Sequence, residues 1–261
     1  MALAAAAGGL LMGLGSGRLP GRAWMLGYAL PLLVIVAFAV SVRRPEWTMH
    51  PAWSWIWLGK WRLVLCAGVV SMVFSSLMPR LPKASDRRAL GVLVAVAVLY
   101  FSLWPALSRA RGRPLLESLV TRLPPDGVCR QSTDYTCGPA AAVTGLARLG
   151  LKAGEGELAL AAGTSAATGT PPDVLAQVLN ERFAASGLRA ELRRFQNLKE
   201  LREAGLTLVV VRLGFLVDHW LTVLEVTDRD VVAGDPASGM VRLSHAEFLA
   251  RWRRIGVTVS R

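Results

Sequence analysis

The sequence predicts an α+β fold for the second half of the chain, preceded by a helical membrane region of three or four spans. Three observations predict it. Long uncharged stretches are confined to positions 1–113. Segments with helical spacing then occupy residues 138–183, and short segments rich in β-branched residues follow from residue 190 onward. Helices followed by a mostly antiparallel sheet give the α+β order.

Charge is distributed unevenly along the chain. Residues 1–113 contain 13 Lys and Arg and two acidic residues, whereas residues 114–261 contain 17 basic and 16 acidic residues. The basic residues of the first half lie between apolar stretches, as in loops that flank membrane spans, and not along one helix face. The net charge of +12 therefore does not indicate nucleic-acid binding, and no nucleic-acid partner is expected.

Three apolar stretches are candidate membrane spans. Ala23–Val42, Ala89–Leu107 and the shorter Leu63–Met78 contain no charged residue. About 20 helical residues cross a hydrocarbon core of roughly 30 Å. Ala2–Gly17 is uncharged as well, and is either a fourth span or a signal-like segment. The basic residues of the flanking loops are nearly balanced, so the positive-inside rule leaves open the side of the membrane on which the second half lies.

The two halves are joined by a short connection. Residues 114–125 form an amphipathic connector that ends at the Pro124–Pro125 pair. We therefore divide the chain into a transmembrane helical region, 1–113, a linker, 114–125, and a soluble domain, 126–261. The soluble part is long enough for one compact core.

The soluble part changes from helical to strand-like patterns. Helices are predicted at 138–149, 155–162 and 171–183, the last opening with prolines that suit a first turn. Strands are predicted over short runs bounded by Gly, Asp and Pro: 190–195, 206–213, 220–226, 230–235, 240–244 and 254–260. One further short helix is predicted at 245–252.

The stretch CRQSTDYTCGPAAAV, residues 129–143, raises the question of what its two cysteines do. Cys137 immediately precedes a predicted helix, so free backbone N–H groups and the helix dipole would favour its thiolate. Gly138 allows close backbone approach. Gln131 could place its side-chain amide beside the thiol as an oxyanion donor.

A cysteine nucleophile also requires an imidazole and a group that orients it. His219 opens a predicted strand, and Asp235 ends the next predicted strand along the chain, so a short antiparallel turn could bring the two together. His50 and His245 are expected to be interfacial or surface residues. Asp218, next to His219, is expected to be solvated.

These residues carry a resemblance to a known family. QSTDYTCGPAA, HWLTVLEV and GDPASGMVRLSHAEFLARW, in this order, resemble the bacteriocin-processing cysteine peptidases, family thirty-nine, which stand at the N-termini of ABC exporters and cleave double-glycine leaders. The resemblance covers about the last half of the chain. It includes the Asp-Pro-x-x-Gly turn and a Phe-x-x-x-Trp helix, Phe248 to Trp252.

The resemblance implies a papain-like fold in which Cys137 is the nucleophile, His219 the general base, Asp235 its orienting group and Gln131 the oxyanion donor. No cofactor is expected. A zinc site needs about four closely spaced ligands, which Cys129, Cys137 and the distant His219 do not provide, so no metal is expected. The partners implied are a peptide or protein substrate, a lipid membrane and a separate exporter, in a bacterial inner membrane. The chain contains no Gly-x-x-x-x-Gly-Lys-Ser/Thr motif, so the exporter's ATPase is not expected in it, and its membrane half precedes the peptidase-like half, the reverse of the exporter order.

Other interpretations of the same residues remain open. Cys137 could be a buried structural thiol, or could pair with Cys129 in a disulfide. Asp235 could simply cap a turn, and Gln131 could be polar surface. Besides a membrane-anchored cysteine endopeptidase, the chain could be a peptidase-like domain that binds peptides or secretion partners without cleaving them, or a membrane component with a regulatory soluble half.

Overall fold

The structure, a computed structural model, describes residues 1–43, 60–214 and 217–261. His50, predicted to be an interfacial or surface residue, lies outside the described residues. The described chain forms two compact units, one of residues 1–43 with 60–107 and one of residues 108–214 with 217–261.

The first unit is helical. Its helices are α1 (Ala2–Gly17), α2 (Ala29–Arg43), α3 (Lys60–Leu77) and the first part of α4 (Ala84–Glu117), with short 3₁₀ turns at Ala23–Tyr28 and Met78–Arg80. The predicted span Ala23–Val42 is thus not one α-helix, because its first six residues form a 3₁₀ turn.

Two helices in the described part of the chain are long and apolar enough to cross a membrane, Leu63–Arg80 and Ala84–Glu117. Ala2–Gly17 and Ala23–Ala37 are apolar but shorter. Helices α1 and α3 pack closely through small residues: a Cβ at Gly13 would lie 2.5 Å from the Met72 carbonyl oxygen. Such small-residue contacts are typical of helices that associate in lipid.

The second unit contains a six-stranded antiparallel sheet and five α-helices besides the end of α4. The strands, in the sheet order β1-β6-β2-β3-β4-β5, are β1 (Arg189–Arg194), β2 (Thr207–Gly214), β3 (Val217–Val226), β4 (Asp230–Asp235), β5 (Gly239–Ser244) and β6 (Trp252–Ser260). The helices are α5 (Cys137–Arg148), α6 (Glu155–Ala161), α7 (Pro172–Phe183), α8 (Leu198–Ala204) and α9 (His245–Leu249). The predicted α+β fold with an antiparallel sheet is confirmed.

Helices cover both faces of this sheet. Successive residues of a strand point to opposite faces: in β2, Leu208 and Val210 belong to the core under α5 and α7, whereas Val209 and Val211 belong to the core under α8 and α9. On the first face, the Thr222 hydroxyl of β3 donates to the Ala141 carbonyl of α5 at 2.8 Å. This contact fixes α5 against the strand that carries His219.

Two elements differ from the prediction. Helix α8 was not predicted, although Asn197 caps it by accepting from the Glu200 N–H at 3.0 Å. Helix 245–252 was predicted too long, because Trp252 begins β6 and pairs with Val211. The Phe248 and Trp252 rings still pack at 5.2 Å, so their i,i+4 spacing reflects a core contact across the helix end.

Candidate active site

Cys137 lies at the first residue of α5, as its sequence context predicted. Its side chain is buried, with the residue 6% exposed. The backbone N–H groups of a first helical turn have no acceptor inside the helix, so they can donate to a group that lies at its N-terminal end. Gly138 is required by packing: a Cβ there would lie 2.8 Å from Thr170 Cβ and 3.1 Å from Trp220 Nε1.

His219 lies on β3 and is brought to both predicted partners. Its Nε2 is 2.7 Å from Asp235 Oδ1, and Cys137 lies close enough to the ring to contribute to the raised pKa of His219. With Nε2 turned to Asp235, Nδ1 is the ring nitrogen left for the thiol. A thiol, an imidazole and a carboxylate from three separate elements therefore lie together, and the imidazole and the carboxylate are hydrogen-bonded.

Asp235 also organises the turn that follows it. Its Oδ1 accepts the Ala237 N–H at 2.8 Å and its Oδ2 accepts the Ser238 hydroxyl at 2.8 Å. The turn ends at Gly239, whose φ of 103° favours glycine, and a Cβ there would clash with the Arg130 guanidinium. Asp235 thus caps the turn and contacts the imidazole at once, so the two interpretations of this residue do not exclude each other.

His219 and Asp235 each stabilise the charged form of the other. Burial favours neutral His219, but the hydrogen bond to Asp235 and the interaction with Cys137, with the charges of both, outweigh it and raise the pKa of His219 from 6.5 to about 9. Burial likewise acts to raise the pKa of Asp235, but hydrogen bonds from His219, Ala237 and Ser238 lower it from 3.8 to about 2. The contribution of His219 to the stability of the fold is complete below pH 6.5 and is lost as pH rises through about 9. The contribution of Asp235 is present above pH 3.8 and is lost as pH falls through about 2.

Gln131 lies six residues before Cys137, on the loop that leads into α5. Its Nε2 donates to the Thr133 carbonyl at 2.9 Å, and its Oε1 is buried without a partner among the described residues. Its backbone N–H donates to the Pro236 carbonyl at 2.9 Å, next to Asp235. Within the described residues, no hydrogen bond joins Gln131 to Cys137, and one of its two amide hydrogens is not used by the Thr133 contact.

The second cysteine of the motif differs from the first. Cys129 and Cys137 are both free thiols, and Cys129 is fully buried. Burial, and then the nearby charge of Glu155, raise the pKa of Cys129 to about 12. A thiol with so high a pKa is a poor nucleophile at neutral pH.

Two other predicted side chains have partners inside the protein. Asp218, expected to be solvated, instead accepts from Nε and Nη2 of Arg253 at 2.8 Å, and Arg253 is 2% exposed. A buried arginine requires such a partner. His245 lies at the start of α9, half-buried, with Nε2 3.1 Å from the Thr227 carbonyl oxygen.

The loop before α7 borders the site. The Thr170 carbonyl accepts a hydrogen bond at 3.2 Å from Nε1 of Trp220, the residue that follows His219. The Thr170 side chain packs on Gly138. This loop thus lies next to the start of α5, where Cys137 is located.

The family model of the peptidase C39 family matches residues 127–261, which is about half of the chain. The chain belongs to the peptidase C39 family. This confirms the family predicted from the motifs around Cys137, His219 and Asp235, and a C39 peptidase domain therefore accounts for the whole second half.

Relatives of this domain occur in archaea. An uncharacterized protein of Methanothermobacter marburgensis is 35% identical over 121 residues, which are 46% of this chain and 79% of that protein. One from Methanothermobacter thermautotrophicus is 30% identical over 128 residues, 49% of this chain and 84% of that protein.

Two solved structures are also similar. A double glycine motif protease from an AMS/PCAT transporter, in complex with its leader peptide, gives a TM-score of 0.43 at 16% identity, covering 54% of this chain and 91% of that one. The peptidase domain of Streptococcus ComA, a bi-functional ABC transporter, gives 0.45 at 17%, covering 50% and 95%. At these TM-scores and identities the two structures do not bear on the activity of this chain.

Proposed function

We propose that this chain is a membrane-anchored cysteine endopeptidase that cleaves peptide or leader-peptide substrates through Cys137. The observation that carries the proposal is the grouping of Cys137, His219 and Asp235, with the last two hydrogen-bonded at 2.7 Å. A merely structural thiol would not need a buried imidazole beside it, nor would that imidazole need a carboxylate. The C39 family membership supports the same reaction class.

The first half of the reaction forms an acyl-enzyme. The Cys137 thiolate attacks the carbonyl carbon of the scissile peptide bond, and the carbonyl oxygen becomes an oxyanion. As the C–N bond breaks, the His219 imidazolium donates its proton to the leaving amine. The pKa of about 9 keeps that proton on His219 at neutral pH, ready for this step.

The second half restores the enzyme. Neutral His219 accepts a proton from water, and the resulting hydroxide attacks the thioester. The C–S bond breaks, the acid product leaves, and the proton stays on His219 as the thiolate re-forms. Asp235 remains ionised throughout, because its pKa is about 2, and it stabilises the imidazolium and fixes the ring.

We assign the stabilisation of the oxyanion to two groups. The first is the Cys137 backbone N–H at the start of α5, which a helix leaves without an internal acceptor. The second is the side-chain amide of Gln131, which has a hydrogen to donate besides the one given to Thr133. Loss of one such donor typically lowers kcat on the order of 10² to 10³-fold.

The test is cleavage by the full-length chain in membranes or detergent. A pool of peptides that includes double-glycine leaders is incubated with the chain under reducing conditions, and products are identified by mass spectrometry. New termini produced by the unmodified chain and not by Cys137→Ala support the peptidase. Binding of the same peptides without any cleavage would instead support the non-cleaving peptide-binding domain.

The pH dependence provides a test of the pair formed by His219 and Asp235. We expect kcat/KM of the unmodified chain to fall as pH rises through about 9, where His219 loses its proton. Asp235→Asn removes the charge that favours the imidazolium and leaves only a neutral amide oxygen to accept from His219. The alkaline limb should then move to lower pH by about 1 to 3 units, and kcat/KM at its optimum should fall by about 10²-fold.

The matched control is Asp230→Asn, the same change at the other end of β4. Asp230 lies beside Arg242 at 3.4 Å, outside the site, so its substitution should leave the alkaline limb in place. If kcat/KM falls at the same alkaline pH in the unmodified chain and in Asp235→Asn, Asp235 does not stabilise the protonated form of His219.

We further propose that residues 1–113 anchor the enzyme as three or four spans in a bacterial inner membrane, with 114–125 as linker and 126–261 as the peptidase domain. Two helices of sufficient length and apolarity and the small-residue contact between α1 and α3 support the anchor. A separate exporter that receives the processed peptide is a further proposed partner.

The anchor predicts how the chain fractionates. The full-length chain should stay in the membrane pellet after an alkaline carbonate wash and enter solution only with detergent, because lipid-facing apolar helices are not held by charge. Peripheral proteins of the same membranes serve as the control for the wash. Release of the chain by carbonate alone would contradict the anchor.

A further inference from the structure

Glu155 is a fully buried acidic residue that the proposed reaction does not use. It begins α6 and is 0% exposed, and no ion pair of Glu155 occurs in the part of the chain that the structure describes. Burying a carboxyl group without a cation is unfavourable unless hydrogen bonds replace the lost water. The buried carboxyl group of Glu155 therefore needs hydrogen-bond donors from the protein.

The partner is Ser132, on the loop before Cys137. Glu155 Oε1 accepts the Ser132 backbone N–H at 2.7 Å, and Oε2 accepts the Ser132 hydroxyl at 2.7 Å. Both oxygens are thus used by one residue from an earlier part of the chain. Glu155 is anchored in turn by its own N–H, which donates to the Thr121 hydroxyl at 2.8 Å.

Ser132 lies between the two residues that shape the loop. Gln131 precedes it and is held on its other side by the bond from its N–H to the Pro236 carbonyl, next to Asp235. Thr133 follows it and accepts the Gln131 side-chain amide. The peptide at 131–133 is therefore held between the Asp235 turn and the Glu155 carboxyl group.

We propose that Glu155 is a positioning residue, which fixes the peptide at 131–133 so that the Gln131 amide meets the oxyanion formed at Cys137. This inference rests on the proposed peptidase function. Glu155 acts through hydrogen-bond geometry and not through its charge. Its charge has a second effect, because it adds to burial in raising the pKa of Cys129, the thiol that takes no part in the reaction.

Two substitutions separate geometry from charge. Glu155→Ala leaves the Ser132 N–H and hydroxyl without acceptors, so the loop is expected to shift and kcat to fall by about 10- to 10²-fold, with KM changed by less than about 3-fold. Glu155→Gln keeps an oxygen for the N–H and supplies an NH₂ that can donate to the Ser132 hydroxyl. It should therefore retain kcat within about 3-fold of the unmodified chain.

A double-mutant cycle with Gln131→Ala tests whether Glu155 acts through Gln131. If it does, Glu155→Ala should lower kcat by less than about 2-fold in a chain that already lacks the Gln131 amide. Ser132→Ala, which leaves the buried carboxyl group in place, should lower kcat by about 3- to 10-fold. If thermal unfolding shows that Glu155→Ala does not fold, Ser132→Ala takes its place in the double-mutant cycle with Gln131→Ala.

The outcomes distinguish this inference from the proposed function. Cleavage by the unmodified chain with undiminished kcat in Glu155→Ala and Ser132→Ala would overturn the positioning role alone. The positioning role would also be overturned if Glu155→Ala lowered kcat equally in chains with and without the Gln131 amide. A Glu155→Gln variant with a kcat as low as that of Glu155→Ala would overturn it as well. Absence of Cys137-dependent cleavage in the unmodified chain would overturn the proposed function, and the inference with it.

Discussion

Replacing Cys137 with alanine is expected to abolish peptide cleavage, with kcat/KM reduced at least about 10³-fold. The substitution removes the sulfur atom that forms the acyl-enzyme in the proposed reaction, and neither His219 nor Gln131 is assigned a role that could replace it. Folding should be retained, because the change deletes one sulfur atom at the start of α5. The loss is measured by peptide cleavage with the full-length chain in detergent, alongside its thermal unfolding midpoint.

Cys129→Ala is the matched control, because it deletes the same atom from the other thiol of the motif. Cys129 lies in the core with its pKa raised to about 12, and its backbone N–H, which donates to the Thr144 hydroxyl at 2.9 Å, is unaffected by the change. This variant should cleave at close to the unmodified rate. Equal cleavage by Cys137→Ala and Cys129→Ala would exclude a cysteine mechanism.

The second large effect is expected at His219. Replacing it with alanine removes the group that carries the proton to the leaving amine and later accepts one from water, so kcat should fall by at least about 10³-fold. KM should change little, because the proposed role of the ring is proton transfer and not peptide binding. The variant also leaves Asp235 without its buried partner, so the thermal unfolding midpoint below pH 6.5 should fall as well.

His245→Ala serves as the comparison at the only other histidine that the structure describes. Its ring contacts the Thr227 carbonyl in the turn between β3 and β4, and no hydrogen bond joins it to Cys137, His219 or Asp235 among the described residues. Retained cleavage in His245→Ala together with loss in His219→Ala would assign the proton transfer to the ring on β3. Retained cleavage in both would show that another group carries the proton.

Much of the domain could be predicted from local patterns. The β-branched runs predicted strands close to their observed ends, although β2 is buried on both faces and its apolar run does not alternate. Residues 155–162 and 171–183 correspond to helices α6 and α7, whose helical spacing is equally local. What failed was the boundary at Trp252, where a tertiary contact between two aromatic rings has the same spacing as a helix.

The meeting of Cys137, His219 and Asp235 could be predicted only in part. The turn between β4 and β5 and the pairing of β3 with β4 are short-range features, so the approach of Asp235 to His219 follows from strand order. The approach of Cys137 depends on packing of α5 against β3, two elements far apart along the chain, and was expected only from the family resemblance. Their catalytic roles remain a proposal.

The long-range polar contacts could not be predicted. Glu155 lies in the first turn of a helix, where an acidic residue is ordinary, and nothing in the sequence pairs it with Ser132. Asp218 and Arg253 are distant in sequence and lie on strands that are not neighbours in the sheet. Such contacts are fixed by the complete fold, because each satisfies a polar group that the core would otherwise leave without a partner.

The central claim is that the Cys137 thiolate, paired with His219, attacks a peptide carbonyl. Its most direct test is the reaction of the full-length chain with a peptidyl acyloxymethyl ketone, followed by mass spectrometry of the modified peptides. The proposed function predicts a single adduct on Cys137, none on Cys129, and a rate at least about 10²-fold lower in His219→Ala. An adduct on Cys129 instead, or one on Cys137 that forms equally fast without His219, would contradict it.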